Sequence, residues 1–457
     1  MIPRTWFAVL SVALAGTLAS ACGGGGSSSE SHPVPQPTRA QFKAAGLGKL
    51  PVAPEGKRVD LTAPPFSNPT NVTNPLFPIS DLHSAILNGT IDGKPFHTET
   101  TLLPYTRTIE WTPGEQVETL VSQYVAFLDG RIQEVALDYY AQADDGSVWY
   151  FGEDVVDYNT QGNIGYTTDS WLAGQDGPPA MIMPGDPKVG QAFRTENIPG
   201  QVFEEVTVKT VEKTVPGPTG PVRGAMVGEE LHDDAMTSDK VFAPGYGEFS
   251  TRDADGVEAM ALAVPTDGIN APTPTDLENL LASADHAQDA VESKDWRAVS
   301  SSVRRVTAAW QGYRRAGKLP PRLEPPMRRA IGALSGATQA RDPERAGTAA
   351  IDVAQAALDL ELQYRPPAAI DLARFELWTR QLTVDAGANN LGGVTGDLAT
   401  MEWTRDRFAQ NIDPTDLTRI NASILTLRDS VLNKDLRAAG TEAASLDKAL
   451  GGVKTST

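Results

Sequence analysis

From about residue 81 to 267 the chain runs in short stretches of alternating apolar and polar positions, broken by tight-turn pairs. Asp92-Gly93 separates SAILNGTI from KPFHTETTL, and Asp129-Gly130 separates ETLVSQYVAFL from RIQEVALDYYAQA. Asp145-Gly146 precedes SVWYFGE, and Asp255-Gly256 precedes VEAMALAV. Asp-Gly supplies the positive φ angles of a two-residue hairpin turn, so each pair joins neighbouring antiparallel strands. The pattern predicts an antiparallel β meander of at least eight strands. A sandwich or a curved half-barrel would bury one of its faces.

Near residue 267 the period changes. NAPTPTD reads as a linker ending in a helix start, with Thr275 as N-cap and Glu278 three positions on as in a capping box. The rest predicts an all-α helical domain over 275–453, with eight helices near 276–292, 295–316, 325–340, 343–363, 368–388, 391–409, 414–432 and 434–451. They pair around similar breaks, SKDW, ARDP, ANNL and NKDL, which recur at roughly 45–48 residues, a period of helical-hairpin repeats. Aromatics follow three of the breaks: Trp310 and Tyr313, Tyr364, then Trp403 and Phe408. Stacked hairpins sharing a core and two fused four-helix bundles both fit this pattern. The chain is thus multidomain, β then α.

Ahead of the strands, residues 41–80 are rich in Pro and Asn, as in LTAPPFSNPTNVTNPLFPIS, and predict an extended arm lying over the β domain of 81–267. In residues 22–40, Cys22 is followed by GGGGSSSESHPVPQP, a flexible tether. Residues 1–21 carry Arg4, a short apolar run from Trp6 to Leu18 and the small residues Ala19-Ser20-Ala21 before Cys22. This resembles the lipobox of bacterial lipoproteins, with Ala19 where a bulkier residue is usual. The resemblance implies cleavage before Cys22 and acylation of Cys22, anchoring the chain to a membrane on the extracytoplasmic side of the cell envelope. Cys22 is the chain's single cysteine, so no internal disulfide competes for it.

The net charge of −19 argues against nucleic-acid binding, which needs a basic stripe. G-x-S-x-G, the P-loop and H-E-x-x-H are all missing, so no motif for a nucleotide, metal or organic cofactor is present. His32, His83, His97, His232 and His286 fall in no metal-ligand spacing.

The stretch LDYYAQADDGSVWYFGEDVVDY, with WLAGQDG and MIMPGDPKVGQAFRTE downstream, resembles a family of bacterial exported proteins of uncharacterised function with a D-x-Y-A-Q-x-x-D-G-x-V-W-Y-x-G-E core. The likeness covers roughly residues 70–265 and carries no activity with it. Within it, Tyr140, Gln142, Trp149 and Glu153 are the candidate ligand-binding residues, since the Asp145-Gly146 turn sets their strands side by side. Packing across paired strands accounts for the same aromatics. Met181 and Met183 suggest a soft metal site, and Asp253, Asp255 and Glu258 part of a calcium loop. Loop packing for the methionines and a plain hairpin turn for the acids are the favoured readings, since neither a fuller methionine or histidine cluster nor the complete EF-hand spacing is present.

On the first long helix, Asp285, Asp289 and Glu292 share one face beside His286 and are the candidate metal ligands; a solvated acidic face is the alternative. These observations lead to the expectation of a membrane-anchored, non-enzymatic binding or interaction module with an unknown small-molecule or protein ligand. The alternatives are a cation-handling envelope lipoprotein and a hydrolase using two carboxylates, whose acids need no local motif.

Overall fold

The computed structural model describes residues 31–166, 169–252, 256–317 and 319–456. Two short strands come first, β1 (His32–Pro33) and, after helix α1 (Arg39–Ala44), β2 (Thr62–Ala63). Fourteen strands then form one antiparallel sheet. They are β3 (Ser84–Ile91), β4 (Lys94–Thr112), β5 (Glu115–Leu128), β6 (Arg131–Gln142), β7 (Val148–Tyr158), β8 (Ile164–Tyr166), β9 (Trp171–Leu172), β10 (Ala180–Met183), β11 (Ala192–Ile198), β12 (Val202–Pro216), β13 (Pro221–His232), β14 (Thr237–Ala243), β15 (Gly247–Arg252) and β16 (Gly256–Val264).

The main path runs β10-β7-β6-β5-β4-β3-β16-β15-β14-β13-β12-β11, with β8 and β9 added to the free edge of β7. The sheet curls until its two ends, β10 and β11, lie against each other. Of the two shapes the sequence allows, the curved one is realised. Asp92 and Gly93, Asp129 and Gly130 all adopt positive φ at their hairpin turns, as the Asp-Gly signal requires.

Proline keeps residues 64–80 out of the ladder, and they fill one end of the curl. Phe66, Val72, Phe77 and Ile79 are buried in the same core as Tyr140, Trp149, Phe151, Val206, Met226 and Phe242. Phe77 meets Tyr140 of β6 edge-on at 5.0 Å and reaches Phe242 of β14 at 6.3 Å. Those strands stand six places apart in the path, so the arm crosses the interior and does not merely overlie the domain. The stretch 31–40, read from sequence as tether, is docked as well: Val34 is buried and its N–H donates to Leu61 O at 2.9 Å.

Eight further helices follow: α2 (Thr275–Glu292), α3 (Trp296–Arg315), α4 (Glu324–Ala340), α5 (Pro343–Glu361), α6 (Pro367–Gly387), α7 (Leu391–Phe408), α8 (Pro414–Leu432) and α9 (Leu436–Leu450). The first begins differently from the sequence reading. Pro274 is its N-cap, with no side-chain cap, and Thr275 is already helical. The fixed extended geometry of Pro274, with its carbonyl accepting from Leu277 and Glu278 N–H, takes over the role expected of Thr275.

The four breaks share one design. Lys294, Arg341, Asn389 and Lys434 each take positive φ. Each is followed by an N-capping residue, Asp295, Asp342, Asn390 or Asp435, that opens the second helix of a hairpin. The helices cover the outer face of β3, β4 and β5 and their neighbours: Ile86 joins the helical core, and Phe127 stacks on Trp378 at 5.6 Å. No described helix is long and apolar enough to cross a membrane.

Candidate functional site

Strand alternation decides which residues look outward to the helices. On β4, His97 and Glu99 lie opposite Phe127 and Val125 of β5 and face the helical layer, while Thr98 faces the interior. Between this face and helices α4, α5 and α6 opens a cleft of about 480 Å³. Its apolar walls are Phe96 and Phe127 of the sheet, Ala330 and Ala333 of α4, and Ile351 and Trp378 of α5 and α6. Asp352 and Gln355, one turn apart on α5, bring polar groups into it, as does Arg131 at the start of β6.

The polar groups of the cleft differ in how far they are already engaged. Arg131 is spent on Asp385 (2.9 Å) and Asp397 (3.5 Å). Gln355 Nε2 is buried with no hydrogen-bond partner. Asp352, an exposed residue at the cleft, makes no ion pair among the described residues; desolvation pushes its carboxyl up, against the pull of Arg131 and Arg329. An apolar slot with a few unspent polar groups is the usual form of a small-ligand site.

The deep end of the cleft is closed by a buried ion network. Arg374 donates to Glu99 (2.5 Å) and Asp359 (2.7 Å). Arg407 binds Glu99, lies 3.5 Å from Asp371 and donates to Gln123 Oε1 at 2.5 Å. His97 Nδ1 contacts Asn88 Oδ1 at 2.8 Å, and Nε2 contacts Glu99 Oε1 at 3.2 Å. Burial alone would raise the Glu99 carboxyl, but Arg374 and Arg407 hold it well below the usual range. His97, Glu99 and Asp359 could geometrically grip a metal ion. Two guanidinium groups already occupy the carboxylates, which makes the cluster an ionic joint between sheet and helices.

The sequence's ligand-binding candidates sit elsewhere, inside the curl. Tyr140 pairs with Tyr150 and Gln142 with Val148, the register expected from the Asp145-Gly146 turn. Trp149 is fully buried, its Nε1 donating to Ser147 Oγ at 2.8 Å. Gln142 Oε1 accepts from the N–H groups of Thr73 and Asn74 at 2.9 and 2.8 Å. Glu153 accepts from Trp171 Nε1 at 3.2 Å. Tyr140, Gln142 and Trp149 therefore hold the arm and the core, while Glu153 belongs to an acidic interior. Met181 and Met183 are buried core residues of β10.

That acidic interior was not foreseen. Asp138, Glu153, Glu196, Glu204, Glu230, Glu248 and Glu258 share the concave face with Lys240 and His232. Lys240 bonds Glu230 at 3.1 Å, and His232 lies 3.1 Å from Glu204. Burial pushes Asp138 and Glu230 up to about 7. Glu204 goes the other way, to about 2, because the His232 hydrogen bond and Lys240 outweigh its burial. Glu204, Glu230 and His232 also have metal-like spacing, with Lys240 already in place as counter-ion.

On α2, Asp289 and Glu292 are exposed and Asp285 is half-buried. Arg380 of α6 stands 3.5 Å from Asp285 and also binds Glu376 and Asp447 at 2.8 Å each. A guanidinium thus faces the proposed metal ligands from the neighbouring helix. Cys22 and the calcium-loop residues Asp253 and Asp255 lie outside the described residues, while Glu258 accepts from Thr98 inside the sheet. Compared with known proteins, the chain matches no family model and no curated sequence.

Proposed function

We propose that the chain is a lipid-anchored envelope protein, held through acylated Cys22, that binds a small amphipathic ligand in the cleft between sheet and helices. The observation that carries this reading is the cleft itself, about 480 Å³ of mostly apolar space beside the unpartnered Gln355 Nε2. A flat apolar part of the ligand would lie between Phe127 and Ile351, and its polar edge would meet Asp352 and Gln355. A buried amide without a partner costs about 1–3 kcal/mol, which ligand oxygen can return on binding.

Catalysis by paired carboxylates is the weaker reading, because the interior acids Glu153 and Glu196 touch each other. Glycoside hydrolysis needs its two acids about 5 Å or more apart, with the sugar between them. The test of the binding reading is a cleft-filling substitution, Ala333→Trp on α4. With the fluorescent amphiphile anilinonaphthalene sulfonate as probe, the wild-type body should bind saturably and the variant should not. Equal binding by both would refute the assignment.

A further inference from the structure

The curled sheet has one line along which no ladder holds it shut among the described residues. β10 pairs with β7, and β11 with β12 and, at Ala192 alone, with Arg58 of the arm; neither pairs with the other. Further along β7, its free edge is covered by β9, paired at Gly152 and Glu153. The segment after β9 then packs on β11 so closely that a Cβ at Gly177 would come within 2.4 Å of the Ile198 side chain. What joins the two sides here is side chains. Gln201 Nε2 donates to Ser170 O at 2.8 Å. The carboxyl groups of Glu153 on β7 and Glu196 on β11 are hydrogen-bonded to each other.

Two carboxyl groups can bond only while one keeps its proton, because an ionised carboxylate is acceptor only. The groups facing this pair favour retention of that proton. Asp138 and Glu134 of β6 and Glu204 of β12 add negative charge around it. Trp171 of β9 donates to Glu153, Tyr150 of β7 stands beside it with its hydroxyl given to Asp138, and Lys240 of β14 is a cation acting on Glu196. Burial first, then Asp138, pushes Glu153 up to about 8. Burial, Glu204 and Glu153 push Glu196 well above the usual range.

We propose that the Glu153–Glu196 pair is a proton-operated latch on this seam, holding β11 against β7 and β9 while the shared proton is present and releasing it when that proton passes to solvent. Two carboxylates left in contact repel, against the Gln201–Ser170 hydrogen bond, the Ile198 packing and the contact of β10 with β11. The release opens the seam onto the acidic interior. The end of the curl filled by Phe66, Val72 and Phe77 stays plugged, so the opening is confined to the seam.

Hydrogen exchange read by mass spectrometry on the full chain, corrected for intrinsic rates, tests this. Between about pH 6.5 and pH 9.5, protection in peptides covering 171–178 and 192–201 should fall roughly tenfold or more, the signature of a local opening. Peptides from α5 should keep theirs. Glu196→Gln supplies a permanent donor to Glu153 and should hold the seam closed at both pH values. Glu153→Gln does the same from the other side and serves if the first variant fails to fold. Unchanged wild-type protection, parallel loss in α5, or a Gln variant that opens as the wild type does would each overturn the latch.

Discussion

At the scale of single residues, the motif from Asp138 to Glu153 is explained by the arm that it receives. Tyr150 hydroxyl donates to Asp138 Oδ1 at 2.7 Å, and its ring stacks on Tyr140 at 4.8 Å. Asp145 Oδ1 accepts from Ser147 N–H at 2.9 Å, shaping the turn in which Gly146 takes φ +84°. Gly152 takes φ +127°, and a Cβ there would fall 2.3 Å from Trp171 O.

Asn74 of the arm fastens this hairpin. Its Nδ2 donates to Gly146 O at 2.9 Å and Pro184 O at 3.0 Å, and its Oδ1 accepts from Leu76 N–H at 2.9 Å. Asn74→Ala should therefore cost about 2 kcal/mol or more in urea unfolding, since two buried and one half-buried backbone group lose their partner. A loss below about 0.5 kcal/mol, the size of an ordinary surface change, would contradict this role. The hairpin register was legible in sequence because Asp-Gly acts locally. Its function as a dock was not, because Asn74 lies 72 residues from Gly146 and 110 from Pro184.

Among the elements, the joint between sheet and helices rests on β4, α5, α6 and α7. Glu99, Asp359, Asp371, Arg374 and Arg407 are all buried there. Such a network is costly to break from one side, because the remaining charge is stranded. Arg374→Met should destabilise the chain by about 3–5 kcal/mol by leaving Asp359 buried without its cation. A change under about 1 kcal/mol in chemical denaturation would mean that the joint is held by apolar packing alone.

The helices themselves were readable, since their caps and 3.6-residue period are local signals. The recurring break of a positive-φ residue followed by Asp or Asn also appeared as a weak repeat. The ionic joint was not readable: Arg407 and Glu99 are 308 residues apart, and His97-x-Glu99 on a strand looks like any alternating polar pair. The acidic interior was hidden for a related reason. Inward-facing Glu230, Glu258 and Asp138 stand where the period-two pattern marks a solvent face.

For the whole molecule, that interior sets the response to pH. Burial is the first cause holding Glu134, Asp138, Glu230 and Glu258 up to about 7 and Glu153 up to about 8. In the unfolded chain such groups ionise near pH 4. Between those values the unfolded state releases protons that the folded state keeps, so stability falls as pH rises. Glu204, drawn down to about 2, acts in the opposite direction only at lower pH. The net charge of −19 adds self-repulsion in the same sense as the raised carboxyls. The melting temperature should be highest near pH 5 and decline towards pH 8; a rise across that window would contradict the protonated interior.

The same molecule offers a ligand an apolar opening on the outer face of the sheet, while the arm fills one end of the interior and side chains close the seam. Native mass spectrometry of the body from Gly23 onward, compared with its Ala333→Trp variant, tests the binding reading most directly. The wild type should carry a small organic molecule at about one per chain, as a tight site retains through purification, and the variant should be bare. Two bare proteins, or a mass retained equally by both, would contradict a ligand held in this cleft.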